Sequence, residues 1–321
     1  MRPILLFAST LTLIAGGTPP ALAAAETPPR LMRVAAAVAD LRREPAPPGP
    51  SRDHDPLEES QLLYGEPARL LEEKGGWARV EVIEQAEWTH HRRWEGYPGW
   101  VRLSDLTPDD GAWSPNLVVT AKVASVRPAP DRRASPKMRL SMGTALQGIP
   151  VGDSWKLTML DGSTGWIART EAADLAARPA ADQAPPREGI VRAARLFLGD
   201  PYYWGGRSAY EAGAKIPPHT GADCSGLVGL AYRANGWKIP RDAHEQWLKA
   251  RPISQEELQP ADLIFLADPS DPKKVTHVML YAGQGRAIEG PGTGKPVREI
   301  GLEERLKEAR GRRAYFGRYL P

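Results

Sequence analysis

The sequence predicts an α+β fold in which two small β-barrels precede a larger domain of helices and antiparallel strands. In the first half of the chain, short apolar runs rich in Val, Leu and Trp alternate with Gly, Pro and Asp turns, as is typical of β-strands. This half also contains an internal repeat. An Ala/Pro-rich stretch then separates it from a region where helix-like patterns come before strand-like ones, which indicates an α+β domain.

Residues 1–25 have the pattern of an export signal. Met1 and Arg2 form a basic start, Ile4 to Ala15 is mostly apolar, and residues 21–25 contain small-residue cleavage sites. The apolar run is too short to span a membrane, and no later run of about 18 apolar residues follows. We therefore expect an exported protein, periplasmic or secreted, that is soluble once the signal is removed. The alternative is a buried N-terminal helix.

Composition argues against nucleic-acid binding and leaves two possible roles for the single thiol. The 321 residues carry a formal net charge of only +3, without the basic patch that nucleic-acid binding needs. A single cysteine cannot form an internal disulfide, so packed cores must supply the stability. An unpaired thiol in an exported protein is either buried and inert or reactive.

The internal repeat predicts two copies of one β module. Each copy has a Trp near its centre and a Gly-Trp step into its last strand, and 60–75 residues with this pattern suggest a small barrel. We place the first module over 31–110 and the second over 113–176. The matching segments are 38–45 with 123–130, 64–80 with 142–158, and 99–106 with 165–175.

The first copy carries an insertion, residues 83–94, that the second lacks. It contains His90 and His91, and paired histidines raise the question of a metal site. Adjacent residues on a strand point to opposite faces, and no further ligand lies at a supporting spacing. We therefore expect an exposed loop without a metal.

Residues 177–188 are rich in Ala and Pro and lack large apolar residues, so they predict a linker before a domain over 189–321. In that domain Ile190, Ala194 and Phe197 share one helical face. A second helix has apolar residues around much of its girth, which implies burial. The second helix is predicted over 223–235, and the strands over 261–267, 275–283 and 286–290.

Cys224 is the first or second residue of this buried helix, with Asp223 as its N-cap. Unpaired backbone N–H groups and the positive end of the helix dipole surround such a position, and both favour a thiolate. Gly226 and Gly229 each disfavour a helix, so we expect close packing or substrate access to require them. The alternative is a buried, inert cysteine.

His277 is the best candidate for a base that activates the thiol. It begins an apolar strand directly after a turn, which would hold its ring rigidly. An imidazole base also needs a group that orients it. Glu289 lies at the start of the predicted neighbouring strand, and two antiparallel strands joined by residues 282–286 would bring the two side chains together.

These residues resemble a known family. D-C-S-G-L-V (223–228), T-H-V-M-L-Y-A-G (276–283) and A-I-E-G-P (287–291) resemble the NlpC/P60-type cysteine peptidases of bacterial cell walls, which have a papain-like fold. The two repeats resemble bacterial SH3-like domains. The combination is similar to the γ-D-glutamyl–diamino acid endopeptidases. The resemblance implies a monomeric enzyme without metal or cofactor that acts on peptidoglycan stem peptides.

The resemblance also assigns roles to individual residues. It implies that Cys224 is the nucleophile, that His277 is the base and that Glu289 holds the third position, where many members carry another residue. Tyr202 matches an active-site tyrosine. The positions implied to bind substrate are Glu66, Tyr97, Tyr202, Asp223, Ser225 and Asp242, of which Glu66, Tyr97 and Asp242 match positions for a free α-amine.

The sequence departs from the family pattern twice. About ten extra residues, 211–220, precede Cys224, and Ala243 stands where relatives often have Ser. The expected reaction is hydrolysis of the γ-D-Glu–diamino acid bond in stem peptides with a free N-terminal L-Ala. Two alternatives stay open: an endopeptidase acting on crosslinks in intact wall, and a silent wall-binding protein. The intact Cys224 and His277 argue against the second.

Overall fold

The computed structural model describes residues 30–49, 54–176, 187–211 and 219–321. The predicted export signal, most of the predicted linker and most of the 211–220 insertion lie outside these residues. Within them, no helix is long and apolar enough to cross a membrane.

The first β module comprises seven strands within residues 31–108, and every pairing between them is antiparallel. The spatial order of its strands is β3-β2-β6-β5-β4-β1-β7. The strands are β1 (Leu31–Val34), β2 (Val38–Arg42), β3 (Glu58–Leu63), β4 (Pro67–Lys74), β5 (Trp77–Glu87), β6 (Glu95–Arg102) and β7 (Leu106–Pro108).

The second β module, within residues 117–174, repeats this topology. Its order is β10-β9, then β13-β12-β11-β8-β14, and the Arg127–Trp166 bridge joins the two groups in the manner of β2 and β6. The strands are β8 (Leu117–Val119), β9 (Val123–Val126), β10 (Met138–Ser141), β11 (Ala145–Val151), β12 (Ser154–Thr158), β13 (Thr164–Ala168) and β14 (Ala172–Asp174).

The Gly-Trp steps have the same steric reason in both modules. A Cβ on Gly99 would lie 2.7 Å from a Leu41 methyl carbon, and one on Gly165 would lie 2.6 Å from a Val126 methyl carbon. A larger residue would therefore push the last long strand off its neighbour. Among the described residues no pairing joins the two end strands of either module, so the predicted barrels are open series of strands rather than closed rings.

The C-terminal region, residues 187–321, has the predicted α+β character. Its six-stranded antiparallel sheet has the order β15-β20-β16-β17-β18-β19, and α1 and α2 pack against β17. The helices are α1 (Arg187–Arg195), α2 (Cys224–Ala234), α3 (Ala243–Lys249) and α4 (Leu302–Glu308). The strands are β15 (Arg251–Ile253), β16 (Leu263–Ala267), β17 (Val275–Gly283), β18 (Arg286–Glu289), β19 (Arg298–Gly301) and β20 (Ala314–Arg318).

The β modules share a core and a polar network with the C-terminal region. Val38 and Leu63 of the first module belong to the same buried apolar cluster as Leu227 of α2. Gln61 donates to the His219 carbonyl at 2.6 Å and accepts from the Arg207 backbone N–H at 3.1 Å. These contacts hold the first module against the residues that precede α2.

Candidate active site

The cysteine lies where the sequence predicts, at the first residue of α2. Asp223 caps the helix, and its side chain accepts from the Gly226 backbone N–H at 2.6 Å. A Cβ on Gly226 would lie 2.2 Å from the Gly206 carbonyl oxygen, so a glycine is required for the helix start to pack against the 201–208 loop. No such contact surrounds Gly229 within 4 Å among the described residues. The predicted close packing therefore holds for only one of the two helix glycines.

Burial opposes the thiolate that the helix position predicts. Burial raises the pKa of Cys224 to about 12, and the Asp223 carboxylate adds to the increase. The backbone N–H groups of Val278 and Ser225 face the sulfur and act in the opposite direction, but they do not offset burial. Burial disfavours the charged form of a thiol, and here the residue is only 8% exposed.

His277 and Glu289 come together as predicted from the strand pattern. Nε2 of His277 lies 2.6 Å from Oε2 of Glu289, although the two residues are on the neighbouring strands β17 and β18. Burial lowers the pKa of His277 below its usual value, and the Glu289 carboxylate opposes this shift. The imidazole is therefore neutral near pH 7, with Nε2 held by Glu289 and Nδ1 available to take a proton.

Two arginines that the sequence did not suggest hold Glu289. Arg305 donates through Nε to both carboxylate oxygens at 2.8 and 2.9 Å, and Arg298 donates to Oε1 at 2.8 and 2.9 Å. Despite burial, His277 and the Arg305 guanidinium lower the pKa of Glu289 to about 2. The carboxylate is therefore ionised, and it is fully buried.

A cleft of about 750 Å³ contains Cys224 and lies between the first β module and the C-terminal region. Its wall includes Glu58, Glu59 and Tyr97 from the first module and Tyr202, Asp223, Cys224, Ser225, Asp242 and Ala243 from the C-terminal region. The cleft therefore contains every predicted substrate-binding residue except Glu66. The two parts of the chain build it together.

Tyr97 and Asp242 meet in this wall. The Tyr97 hydroxyl donates to Asp242 Oδ2 at 2.9 Å and lies 3.5 Å from Glu59 Oε2. Burial raises the pKa of Asp242 to about 7, and the adjacent Arg241 guanidinium opposes the shift. Sequence reasoning missed Glu59, whose only signal is its position in β3, where its side chain faces the cleft.

Glu66 lies outside the cleft, so its predicted contact with a substrate amine is not supported. It is 2% exposed, and Arg207 contacts both of its carboxylate oxygens at 2.8 and 3.1 Å. Arg233 lies 3.3 Å from Oε1. Two buried arginines already neutralise this carboxylate, which therefore joins the first β module to the C-terminal region.

Asp223 and Ser225 line the cleft, but internal contacts already occupy their polar atoms. Arg241 contacts both oxygens of Asp223 at 2.8 and 3.2 Å and donates to the Ser225 hydroxyl at 3.0 Å. Arg241 also donates to the Ser60 hydroxyl of the first module at 2.6 Å. Arg241, which sequence reasoning also missed, therefore holds the start of α2 against the first β module.

Tyr202 lies in the cleft close to the thiol. It is 7% exposed, and burial raises the pKa of its hydroxyl well above the usual value, with Cys224 and Asp223 adding to the increase. The hydroxyl therefore stays protonated and can donate a hydrogen bond next to the sulfur.

The loop that carries His90 and His91 is exposed, as predicted. His91 is exposed, as expected, but Glu87 and Glu95 lie close enough to share a metal ion with it. Sequence spacing did not reveal this group because Glu87 and Glu95 belong to two paired strands on either side of the loop.

Known proteins resemble the chain over most of its length. A family model described as NlpC/P60 family matches residues 199–314. A γ-D-glutamyl-L-lysine dipeptidyl-peptidase of Bacillus cereus is 30% identical over 270 residues, covering 80% of this chain and 75% of the relative. A protein with the same name from Bacillus subtilis is 29% identical over 255 residues, covering 79% of each chain. The crystal structure of an NlpC/P60 family protein from Bacillus cereus has a TM-score of 0.75 at 25% identity, covering 91% of this chain and all of that one.

Proposed function

Because the chain belongs to the NlpC/P60 family, we propose that this peptidase cuts the bond between γ-D-Glu and the diamino acid in peptidoglycan stem peptides. Support for this bond comes from the two Bacillus relatives named as γ-D-glutamyl-L-lysine dipeptidyl-peptidases. We further propose that the substrate needs a free N-terminal L-Ala, so that the product is the dipeptide L-Ala-γ-D-Glu. The export pattern in residues 1–25 agrees with a cell-wall substrate.

In the proposed reaction Cys224 is the nucleophile. His277 takes the thiol proton as the sulfur attacks the γ-carbonyl of D-Glu, because its low pKa leaves the imidazole neutral and able to accept. The C–N bond breaks when the imidazolium returns this proton to the amine of the diamino acid, which leaves a thioester. Water then hydrolyses the thioester with His277 as the base. The backbone N–H of Cys224 is a suitable donor to the oxyanion.

Glu289 acts on His277 rather than on the substrate. It is fully ionised, so it stabilises the imidazolium that forms during attack, and its 2.6 Å contact with Nε2 leaves Nδ1 as the atom that exchanges the proton. Arg298 and Arg305 keep the carboxylate in this position. Glu289 is therefore a positioning residue in the proposed mechanism.

The proposed requirement for a free N-terminal amine rests on the contact between Tyr97 and Asp242. Both residues line the cleft that contains Cys224, and Glu59 lies beside them. An ammonium group placed here would meet two carboxyl groups and a phenol oxygen, all of which accept hydrogen bonds from it. A charged hydrogen bond of this kind contributes about 1.5–3 kcal/mol. An acylated amine cannot form it.

The test compares L-Ala-γ-D-Glu-diaminopimelate with its N-acetylated form. We expect the parent enzyme to prefer the free peptide, and we expect Tyr97→Phe and Asp242→Asn to reduce kcat/KM for the free peptide about 10- to 150-fold. The control Tyr64→Phe should leave kcat/KM unchanged, because the Tyr64 hydroxyl is also buried but contacts the Leu160 backbone instead.

Equal cleavage of the free and the acetylated peptide by the parent enzyme would contradict the amine requirement. Intact sacculi provide a second substrate. Release of crosslinked fragments from them would identify an endopeptidase of intact wall instead.

A further inference from the structure

Two glutamates face each other at the two ends of the loop that joins β5 to β6 in the first β module. Glu87 is the last residue of β5 and Glu95 the first of β6, and the strand register places them directly opposite. Like charges in such a cross-strand pair destabilise an antiparallel sheet. A cation between the two strands would remove that penalty.

His91, in the loop between these strands, completes a group of three ligands. One ligand atom from each of Glu87, His91 and Glu95 lies within 4.8 Å of the other two. Ligands at 2.0–2.2 Å from one Zn²⁺ in tetrahedral geometry are about 3.4 Å apart. Small rotations of the His91 and Glu95 side chains, which are not buried, would bring the group to that spacing.

Glu87 supplies a second, independent indication of a cation. The residue is 1% exposed, yet its Oε1 atom has no hydrogen-bond partner within the described ranges of the chain. Its other oxygen accepts from the His90 backbone N–H at 3.0 Å and lies 3.0 Å from His90 Nδ1. A buried carboxylate oxygen without a partner is costly, and a bound metal ion would satisfy it. His90 would then orient Glu87 as an outer-shell partner.

We propose that Glu87, His91 and Glu95 bind one divalent transition-metal ion, and that Zn²⁺ fits best. One imidazole and two carboxylates are donors that Zn²⁺ accepts, whereas Mg²⁺ and Ca²⁺ favour all-oxygen sites. Glu95 now contacts His91 and Arg93, which are both exposed. Ion pairs with exposed partners contribute little free energy, so displacing them costs the protein little when the metal ion binds.

The bound ion connects the insertion to the cleft. It fixes the two ends of the loop whose residues Trp88, Thr89, His90 and Arg92 line the cleft wall. The His90 ring also packs edge-on against Tyr97 with ring centroids 5.1 Å apart. The ion therefore holds the shape of the substrate-binding wall and takes no part in the chemistry at the thiol.

The test uses isothermal titration of ZnCl₂ into tag-free, EDTA-treated protein. All variants carry Cys224→Ala, because a free thiol also binds Zn²⁺. We expect one saturable site per chain, at least about tenfold weaker in His91→Ala and in Glu95→Gln, and unchanged in the control His54→Ala. MgCl₂ at the same concentrations should give no saturable heat.

Absence of a saturable Zn²⁺ site in the Cys224→Ala protein would overturn the proposal. Equal Zn²⁺ affinity in that protein and in its His91→Ala variant would also overturn it. A thermal measurement guards against misfolded variants. Because a ligand that binds only the folded state raises its Tm, Zn²⁺ should raise the Tm of the Cys224→Ala protein. No increase in that Tm would overturn the proposal even without the other variants.

Discussion

Replacement of Glu289 by glutamine removes the charge that faces His277 while keeping the size of the side chain. In the proposed mechanism the imidazole becomes an imidazolium only when it takes the Cys224 proton, so the carboxylate would stabilise the transition state more than the resting state. A hydrogen bond between charged groups contributes about 1.5–3 kcal/mol. At 1.36 kcal/mol for each factor of ten, we expect kcat/KM to fall about 10- to 150-fold in Glu289→Gln.

The same substitution lowers the stability of the fold by an amount that depends on pH. The pKa of Glu289 is lowered to about 2 in the folded state, from an ordinary value near 4.5. A lowered pKa stabilises the fold above the ordinary value, and this contribution disappears as the pH falls through the folded value. The shift corresponds to roughly 3 kcal/mol at pH 7. We expect the difference in stability between parent and variant to shrink as the pH falls from 4.5 towards 2.

Steady-state kinetics with the free tripeptide and urea unfolding at pH 7 and pH 3 measure the two effects. Glu299→Gln is a matched control, because Glu299 also pairs with two arginines, Arg195 and Arg286, but has no hydrogen bond or ion pair with a histidine in the described part of the chain. It should leave kcat/KM unchanged. If Glu289→Gln keeps the parent values of both kcat/KM and unfolding free energy, the carboxylate neither stabilises the imidazolium nor supports the fold.

Three further predictions concern the thiol, the module interface and the amine site. Alkylation of Cys224 by iodoacetamide should abolish activity. The rate of alkylation should increase between pH 7 and pH 10, because burial raises the thiol pKa. A rate independent of pH over this range would indicate a thiolate. Glu66→Gln should lower the urea-unfolding free energy by roughly 3–5 kcal/mol, because Arg207 loses its buried partner. The ratio of kcat/KM for the free and the acetylated peptide should stay the same. A changed ratio would show that Glu66 takes part in binding the amine. KM for the free peptide should rise as the pH falls below about 7, because protonation of Asp242 removes the charge that attracts the amine. A KM that stays constant between pH 5 and pH 8 would show that Asp242 does not bind the amine.

Local sequence patterns were sufficient for much of the site. The Asp-Cys step before an apolar helix predicted the cap and the start of α2, since capping depends on residues within one turn. The short connection between two apolar strands predicted that His277 and Glu289 lie side by side, since a hairpin fixes the register of its strands. The internal repeat predicted two copies of one topology, and both modules have the same strand order.

The position of Glu66 outside the cleft could not be predicted, because it depends on partners far away in the chain. The sequence around Glu66 does not reveal that Arg207 and Arg233 occupy its carboxylate, since they lie in the C-terminal region. The effect of burial on the thiol pKa could not be predicted for a related reason. Helix position is a local property, but burial depends on everything that packs around the sulfur.

The sequence by itself determined which residues are candidates for the chemistry and which short-range elements present them, because caps, hairpins and strand periodicity depend on neighbours in the chain. Only the tertiary structure decided which carboxylates face the cleft. Tyr97 of the first β module meets Asp242 of the C-terminal region across 145 positions of the chain. Contacts between distant segments form only when whole modules pack together, and burial at those contacts sets the charge of each group.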